Sequence, residues 1–134
     1  MTNTLTFEVL GVSQPQGSSR AFVNNGRAVI TSSNPNLRDW RNLVAREARE
    51  AMMGDAPFDC SMRLRIAFWL PRPKSVKRAE PTVKPDLDKL VRAVLDGLTG
   101  IVYRDDAQVV AVEAEKRYVE PSVPHPCATI TVLS

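Results

Sequence analysis

Asp86 and Asp88, two positions apart behind a proline, and the adjacent pair Asp105-Asp106 further along are the side chains best suited to chemistry in this sequence. Carboxylates gathered at one point repel one another unless a cation sits among them. All-oxygen ligation suits a hard ion, Mg²⁺ or Mn²⁺, which binds through a few carboxylates and keeps waters for a substrate phosphate. Just upstream, residues 71–85 carry Arg72, Lys74, Lys77, Arg78 and Lys84 against the single acid Glu80. A basic segment, an acid pair, an amphipathic stretch and a second acid pair together suit gripping a phosphodiester backbone and hydrolysing it with a divalent ion. Each piece also has a plain structural use. Asp86 and Asp88 serve equally as helix N-cap and first-turn acids, Asp105-Asp106 as turn formers, Arg92 as the i+4 partner of Asp88 continued by Asp96, and the basic segment as a solvated linker. His125, between two prolines, reads as a loop residue. One histidine and two distant cysteines, Cys60 and Cys127, make no zinc pattern, and both cysteines read as buried thiols. Glycine-rich phosphate loops and the Gly-x-Ser-x-Gly elbow are absent from the sequence.

The elements that must position these acids follow from periodicity. Leu87, Leu90, Val91, Val94, Leu95 and Leu98 define an amphipathic helix that Gly97 weakens and Gly100 ends. A helix of about a dozen residues spans roughly 18 Å, so its two ends share one site only if the chain returns. Ile101 to Arg104 is short and apolar enough to be that return strand, bringing Asp106 back beside Asp88. Asp86, following a proline, is expected to be extended or to cap the helix, which would let both early acids aim at one point. A second helix is expected over Asn34–Met53, with Asn34 as N-cap, Pro35 at its first position and Gly54 as its stop. Its arginine-rich outer face reads as solvated. Alternation predicts strands over 4–12, 60–70, 107–119 and 127–133, and Asn24-Asn25-Gly26 between two short apolar runs predicts a hairpin. That order, β, hairpin, α, β, α, β, β, predicts an α+β (mixed α/β) fold in one domain over residues 1–134, a sheet packed by two helices.

Composition sets the outer limits. A chain of 134 residues buries roughly two thirds of its unfolded surface and needs no disulfide or structural metal. At 43% hydrophobic and 25% charged it is neither disordered nor collagen-like. No uncharged apolar run approaches the roughly 18 residues of a spanning helix. The N-terminus has no basic region followed by an apolar one, so no membrane association and a cytoplasmic location are expected. A net charge of +3 and a pI near 9.1 hint at an acidic partner.

The stretch from Lys84-Pro85-Asp86-Leu87-Asp88 to Leu98, continuing through Gly100, Tyr103 and Arg104 to Asp105-Asp106-Ala107-Gln108-Val109-Val110, closely resembles the RusA family of Holliday-junction resolvases, often carried by phages and prophages. The N-terminal third, with its Pro-rich loop, Gly17-Ser18, Arg20, Gly26-Arg27 and Trp40, is similar too. The resemblance implies a homodimeric, Mg²⁺-dependent endonuclease of recombination and repair that nicks opposed strands of four-way junction DNA, Mn²⁺ being a possible substitute. It implies metal binding by Asp86, Asp88 and Asp106, with Asp105 adjacent. It places Arg92 where the family has a lysine that assists catalysis, and Lys89 where it has an asparagine. Arginine keeps the charge but does not give up a proton, so Arg92 fits a charge-stabilising role and not that of a general acid. Arg72, Lys74, Lys77, Arg78, Lys84 and Lys89 are expected to contact DNA phosphates. A silent junction-binding protein, a nuclease for forks or flaps, and a small interaction domain remain alternatives at this point.

Overall fold

The computed structural model describes residues 3–17, 19–32 and 34–134, and only the backbone over 19–24 and 28–32. Ser18 and the Arg20 side chain, part of the resemblance, therefore lie outside the described residues. Strand β4 (Met62–Leu70) runs through the sheet interior and shows why alternation predicts it. Met62, Leu64, Ile66, Phe68 and Leu70 are buried on one face, while Arg63 and Arg65 are exposed on the other. With β1 (Thr4–Leu10), β5 (Val109–Tyr118) and β6 (Cys127–Leu133) it forms a four-stranded sheet in the order β1-β6-β4-β5. β6 pairs antiparallel with both β1 and β4, whereas β5 lies parallel to β4. Parallel neighbours need a crossover, and α2 (Leu87–Leu98) is part of it.

Both helices share one core with the buried face of β4. α1 (Leu37–Met52) contributes Leu37, Trp40, Val44, Ala48 and Met52, and α2 contributes Leu90, Ala93, Val94 and Leu98. The result is a mixed α+β domain, as the element order predicts. β2 (Ser19–Asn24) and β3 (Arg27–Ser32) form the expected hairpin, and Asn25 and Gly26 at its tip have φ of 52° and 76°, as a type I′ turn requires. Among the described residues no helix is long and apolar enough to cross a membrane.

Four local expectations are corrected. α1 starts at Leu37 with Asn36 as its cap residue. Asn34 is a brace instead, its oxygen accepting from the Asn36 N–H (3.1 Å) and its amide donating to Gln14 Oε1 (3.2 Å) and the Pro15 carbonyl (2.9 Å). Gly97 does not simply weaken α2. A Cβ at that position would lie 2.9 Å from Val44 Cγ1, so the missing side chain is what lets the two helices approach. Residues 101–104 are a turn and not a strand, closed by the Gly100 N–H to the Tyr103 carbonyl (2.7 Å) and the Val102 N–H to the Leu98 carbonyl (3.0 Å). Their apolar character reflects complete burial of Val102 and Tyr103. Finally, Cys60 is exposed and only Cys127 is buried, its thiol pushed up to about 11 by burial and by the neighbouring Glu8.

Gly97→Ala should cost about 1–3 kcal/mol in urea unfolding, the usual penalty for overpacking. Val44→Ala in the same chain should recover about 1 kcal/mol relative to the sum of the single changes, and strict additivity would show that the two positions do not press on one another.

Candidate active site

The first acid pair stands where the chain enters α2. Lys116 Nζ on β5 donates to the carbonyls of Val83 (2.9 Å) and Pro85 (3.0 Å), fastening the approach to the helix against the sheet. Lys84-Pro85 is a cis peptide. Asp86 follows in extended conformation at the N-cap position, and its carbonyl accepts the first helical bond from Leu90 N–H (3.1 Å). Its carboxylate makes no capping bond, so the helix does not use the side chain the way an N-cap aspartate normally serves. Asp88, in the first turn, has a side chain 75% exposed with Lys89 Nζ at 3.9 Å. Arg92 does not turn back to Asp88. Its Nε lies 3.9 Å from Asp96, which also has Arg41 at 3.9 Å. Exposed pairs of this length contribute little, so they hold Arg92 only loosely.

The second pair follows the far end of α2. Asp105 caps a 3-10 turn over Asp106–Gln108, its Oδ1 accepting from the Ala107 N–H at 2.9 Å. Gln108 completes the cap. Its Oε1 accepts from the N–H groups of Arg104 (2.9 Å) and Asp105 (3.1 Å), and its Nε2 donates to the carbonyls of Phe58 (2.8 Å) and Cys60 (3.0 Å). Asp105 therefore has a structural task, whereas the exposed Asp106 uses only its carbonyl, which accepts from the Val109 N–H, and its carboxylate makes no hydrogen bond among the described residues. Beneath this turn the Tyr103 hydroxyl donates to the Leu95 carbonyl (2.8 Å). Burial holds the phenol far above its ordinary pKa, and the charges of Asp106 and Asp96 add to that against an opposing hydrogen bond with Thr99.

The two pairs do not meet within one chain. β5 starts at Val109 beside the second pair, and Lys116, which grips the backbone just before Asp86, lies about 23 Å further along it at ~3.3 Å per residue. The return strand that was to bring Asp106 beside Asp88 does not form. Among the described residues no group of three or more acids, histidines or cysteines lies close enough to hold a metal ion.

The basic segment divides into two sets. Arg72 stacks over the Tyr118 ring at 5.0 Å from its centre and donates to the Val76 carbonyl (3.2 Å), and Arg78 Nε donates to the Tyr118 hydroxyl (2.9 Å). These two fix the loop to the end of β5. Lys74, Lys77 and Lys84 are exposed and have no ion-pair partner among the described residues. Tyr118 and Lys116 are the positioning residues that spacing did not reveal. Tyr103 and Gln108, both within the family-like stretch, carried a visible signal, though not of the bonds they make.

A family model described as Endodeoxyribonuclease RusA matches residues 13–124. The chain belongs to the RusA endodeoxyribonuclease family. The match takes in the 13–17 loop, the basic segment, α2 and the Gln108 turn together. YqaN, an uncharacterized protein of Bacillus subtilis (strain 168), is 28% identical to this RusA-family chain over 130 residues, covering 87% of this chain and 89% of its own.

Gln108→Ala removes the partner of two N–H groups and two carbonyls, and should cost about 2 kcal/mol in urea unfolding. An unchanged midpoint would show that water replaces the side chain without loss.

Proposed function

We propose that this protein is a structure-selective endodeoxyribonuclease that resolves four-way DNA junctions by paired symmetric nicks in recombination and repair, working with Mg²⁺ as a homodimer. The observation that carries this reading is the pair of carboxylates, Asp86 and Asp88, left uncapped and exposed at the end of a segment with three unpartnered lysines, in a chain of the RusA endodeoxyribonuclease family.

One protomer has only half of a metal-binding set at each end of α2. Two copies related by a two-fold axis, with their α2 helices antiparallel, would set Asp86 and Asp88 of one protomer beside the partner's Asp106. Two such composite sites would then match the symmetry of a junction. The strip beside α2 supports a second copy as the occupant. Val112, opposite Leu64, lies on the helix side of β5 yet is 38% exposed, and Val110, at the bulge just before it, is 57% exposed. The oxygen-only donors Asp86, Asp88 and Asp106 suit Mg²⁺ or Mn²⁺, and the ion would supply charge neutralisation at the scissile phosphate and activation of water. Asp105 positions Asp106 through the Gln108 turn. Arg92, released from its loose contact with Asp96, stabilises charge developing on the phosphate, with Lys89 beside Asp88 as a second cation. Lys74, Lys77 and Lys84 hold the junction arms through their phosphates, and Arg72 and Arg78 keep that loop in place.

A labelled four-way junction should be nicked symmetrically in Mg²⁺ and not in EDTA, while linear duplex and a flap of equal length stay intact. Junction binding without nicks in Mg²⁺ or Mn²⁺ would identify a silent junction-binding relative. Asp88→Asn should lower cleavage by more than about 100-fold and retain binding, since a metal ligand matters more than the outer partners whose loss costs 10–100-fold; a normal rate would remove Asp88 from the site. Replacing Lys74 and Lys77 together by alanine should make the slope of log K against log salt shallower by about 2, at roughly 0.9 per phosphate contact. An unchanged slope would take the loop off the DNA.

A further inference from the structure

β5 is an edge strand. In the order β1-β6-β4-β5 it pairs only with β4 among the described residues, so its outer edge can accept a further strand. The opposite edge, β1, lies three strands away from β5 and from the turn that carries Asp106. Apolar side chains flank the β5 edge. Val110 and Val112 are exposed on the strand, and Leu87, Val91 and Leu95, one stripe along α2, are each only half-buried. Leu87 faces β5 across a groove of about 610 Å³ that Ala114, Lys116 and Tyr118 wall on the strand side. The charges of β5 alternate with these positions. Glu113, Glu115 and Arg117 lie on the face opposite the helices, beside Arg65, Ala67 and Trp69 of β4.

We propose that β5 pairs antiparallel with β5 of a second copy about a two-fold axis at Ala111, joining the two four-stranded sheets into one of eight strands. The proposal rests on the nuclease reading above and assigns the surface through which its two protomers meet. Symmetry and charge fix the register. A two-fold axis perpendicular to the sheet keeps every residue on its own face, and cross-strand partners share a face, so partners are an even number of positions apart. An axis at Glu113 or Glu115 sets that carboxylate against its own copy, and an axis at Ala114 sets Glu113 against the partner's Glu115. An axis at Val110 brings Asp105 level with the partner's Glu115, and one at Val112 brings Asp106 level with the partner's Tyr118. The axis at Ala111 avoids every like-charge pair. It sets Val110 against the partner's Val112 on both sides, and brings Asp105 and Asp106 level with the partner's Arg117 and the partner's Lys116. The same axis runs the α2 helices antiparallel on one side of the sheet, so that their Leu87, Val91 and Leu95 stripes cover one another. Since Lys116 holds the backbone just before Asp86, this register delivers the Asp106 turn of each chain to the groove beside the other chain's first acid pair.

Single cysteines in the full chain read this register without relying on cleavage, in a Cys60→Ser background that removes the exposed thiol. Under mild oxidation Ala111→Cys should cross-link at least about ten-fold faster than Val110→Cys or Val112→Cys, because only residue 111 meets its own copy within the roughly 4.4–6.8 Å between Cα atoms that a disulfide spans. In the other two variants the thiols are offset along the strands by two residues, about 7 Å. Faster cross-linking at 110 or 112 would overturn the register, and a protein that cross-links at none of the three would overturn the interface. Val110→Lys with Val112→Lys should turn the dimer into a monomer in sedimentation with its far-UV circular dichroism unchanged, since both side chains are exposed in the single chain. A doubly substituted protein that stays dimeric would also overturn the interface. The disulfide-locked Ala111→Cys dimer should nick four-way junctions in Mg²⁺ as fast as its reduced form, and loss of nicking on locking alone would overturn the register. Selective cross-linking at residue 111 in a protein that nicks no junction, locked or reduced, would instead overturn the nuclease reading and leave the interface standing.

Discussion

The parallel pairing of β4 with β5 is the constraint on which the rest of this structure depends. Two parallel neighbours require a connection that recrosses the sheet, and here that connection contains a single rigid helix of 12 residues. A helix holds its ends apart at a fixed length, about 18 Å for this one. The acids beyond its two ends stay apart because residues 101–104 form a buried turn at the far end and do not carry the chain back. Gly97 reinforces the arrangement, because its missing side chain seats α2 against Val44 of α1 and leaves the helix little room to shift.

Around this spacer the chain uses neighbouring groups to hold the acids without engaging them. Lys116 grips the Val83 and Pro85 carbonyls so that Asp86 need not cap α2. Gln108 and Asp105 tie the following turn so that Asp106 need not. Arg72 and Arg78 anchor the basic loop on Tyr118, leaving three lysines to solvent. In each case a polar positioning residue leaves its neighbour available for a ligand. Unengaged carboxylates and ammonium groups contribute little to stability, and the proposed nuclease gives their arrangement a use.

Much of this was legible in the residues themselves. Alternation over 62–70 and the apolar stripe from Leu87 to Leu98 are strong because each element buries one whole face, so periodicity and burial coincide. The Asn25-Gly26 hairpin was equally legible, since its backbone demands residues that accept positive φ. What escaped was tertiary in origin. The 101–104 turn looked like a strand because burial beneath α2 selects apolar residues whatever the backbone does. Gly97 looked like a weakness because the approach of Val44 is invisible along the chain. Asp105 and Asp106 look equivalent in sequence, and only the hydrogen bonds of Gln108 separate the capping acid from the exposed one. The expectation that Asp106 folds back to Asp88 failed because residues 101–104 close a buried turn where a return strand was expected.

The central claim, that each metal set is shared between protomers, is tested most directly by mixing two inactive variants. Asp88→Asn and Asp106→Asn, each silent alone, would form heterodimers in which one composite site carries both changes and the other carries neither. The account predicts that co-refolding them restores Mg²⁺-dependent nicking of the four-way junction, with single-strand nicks outnumbering paired ones. A mixture as inactive as either variant alone, in dimers shown to have exchanged subunits, would contradict it and place all the acids of a site in one protomer.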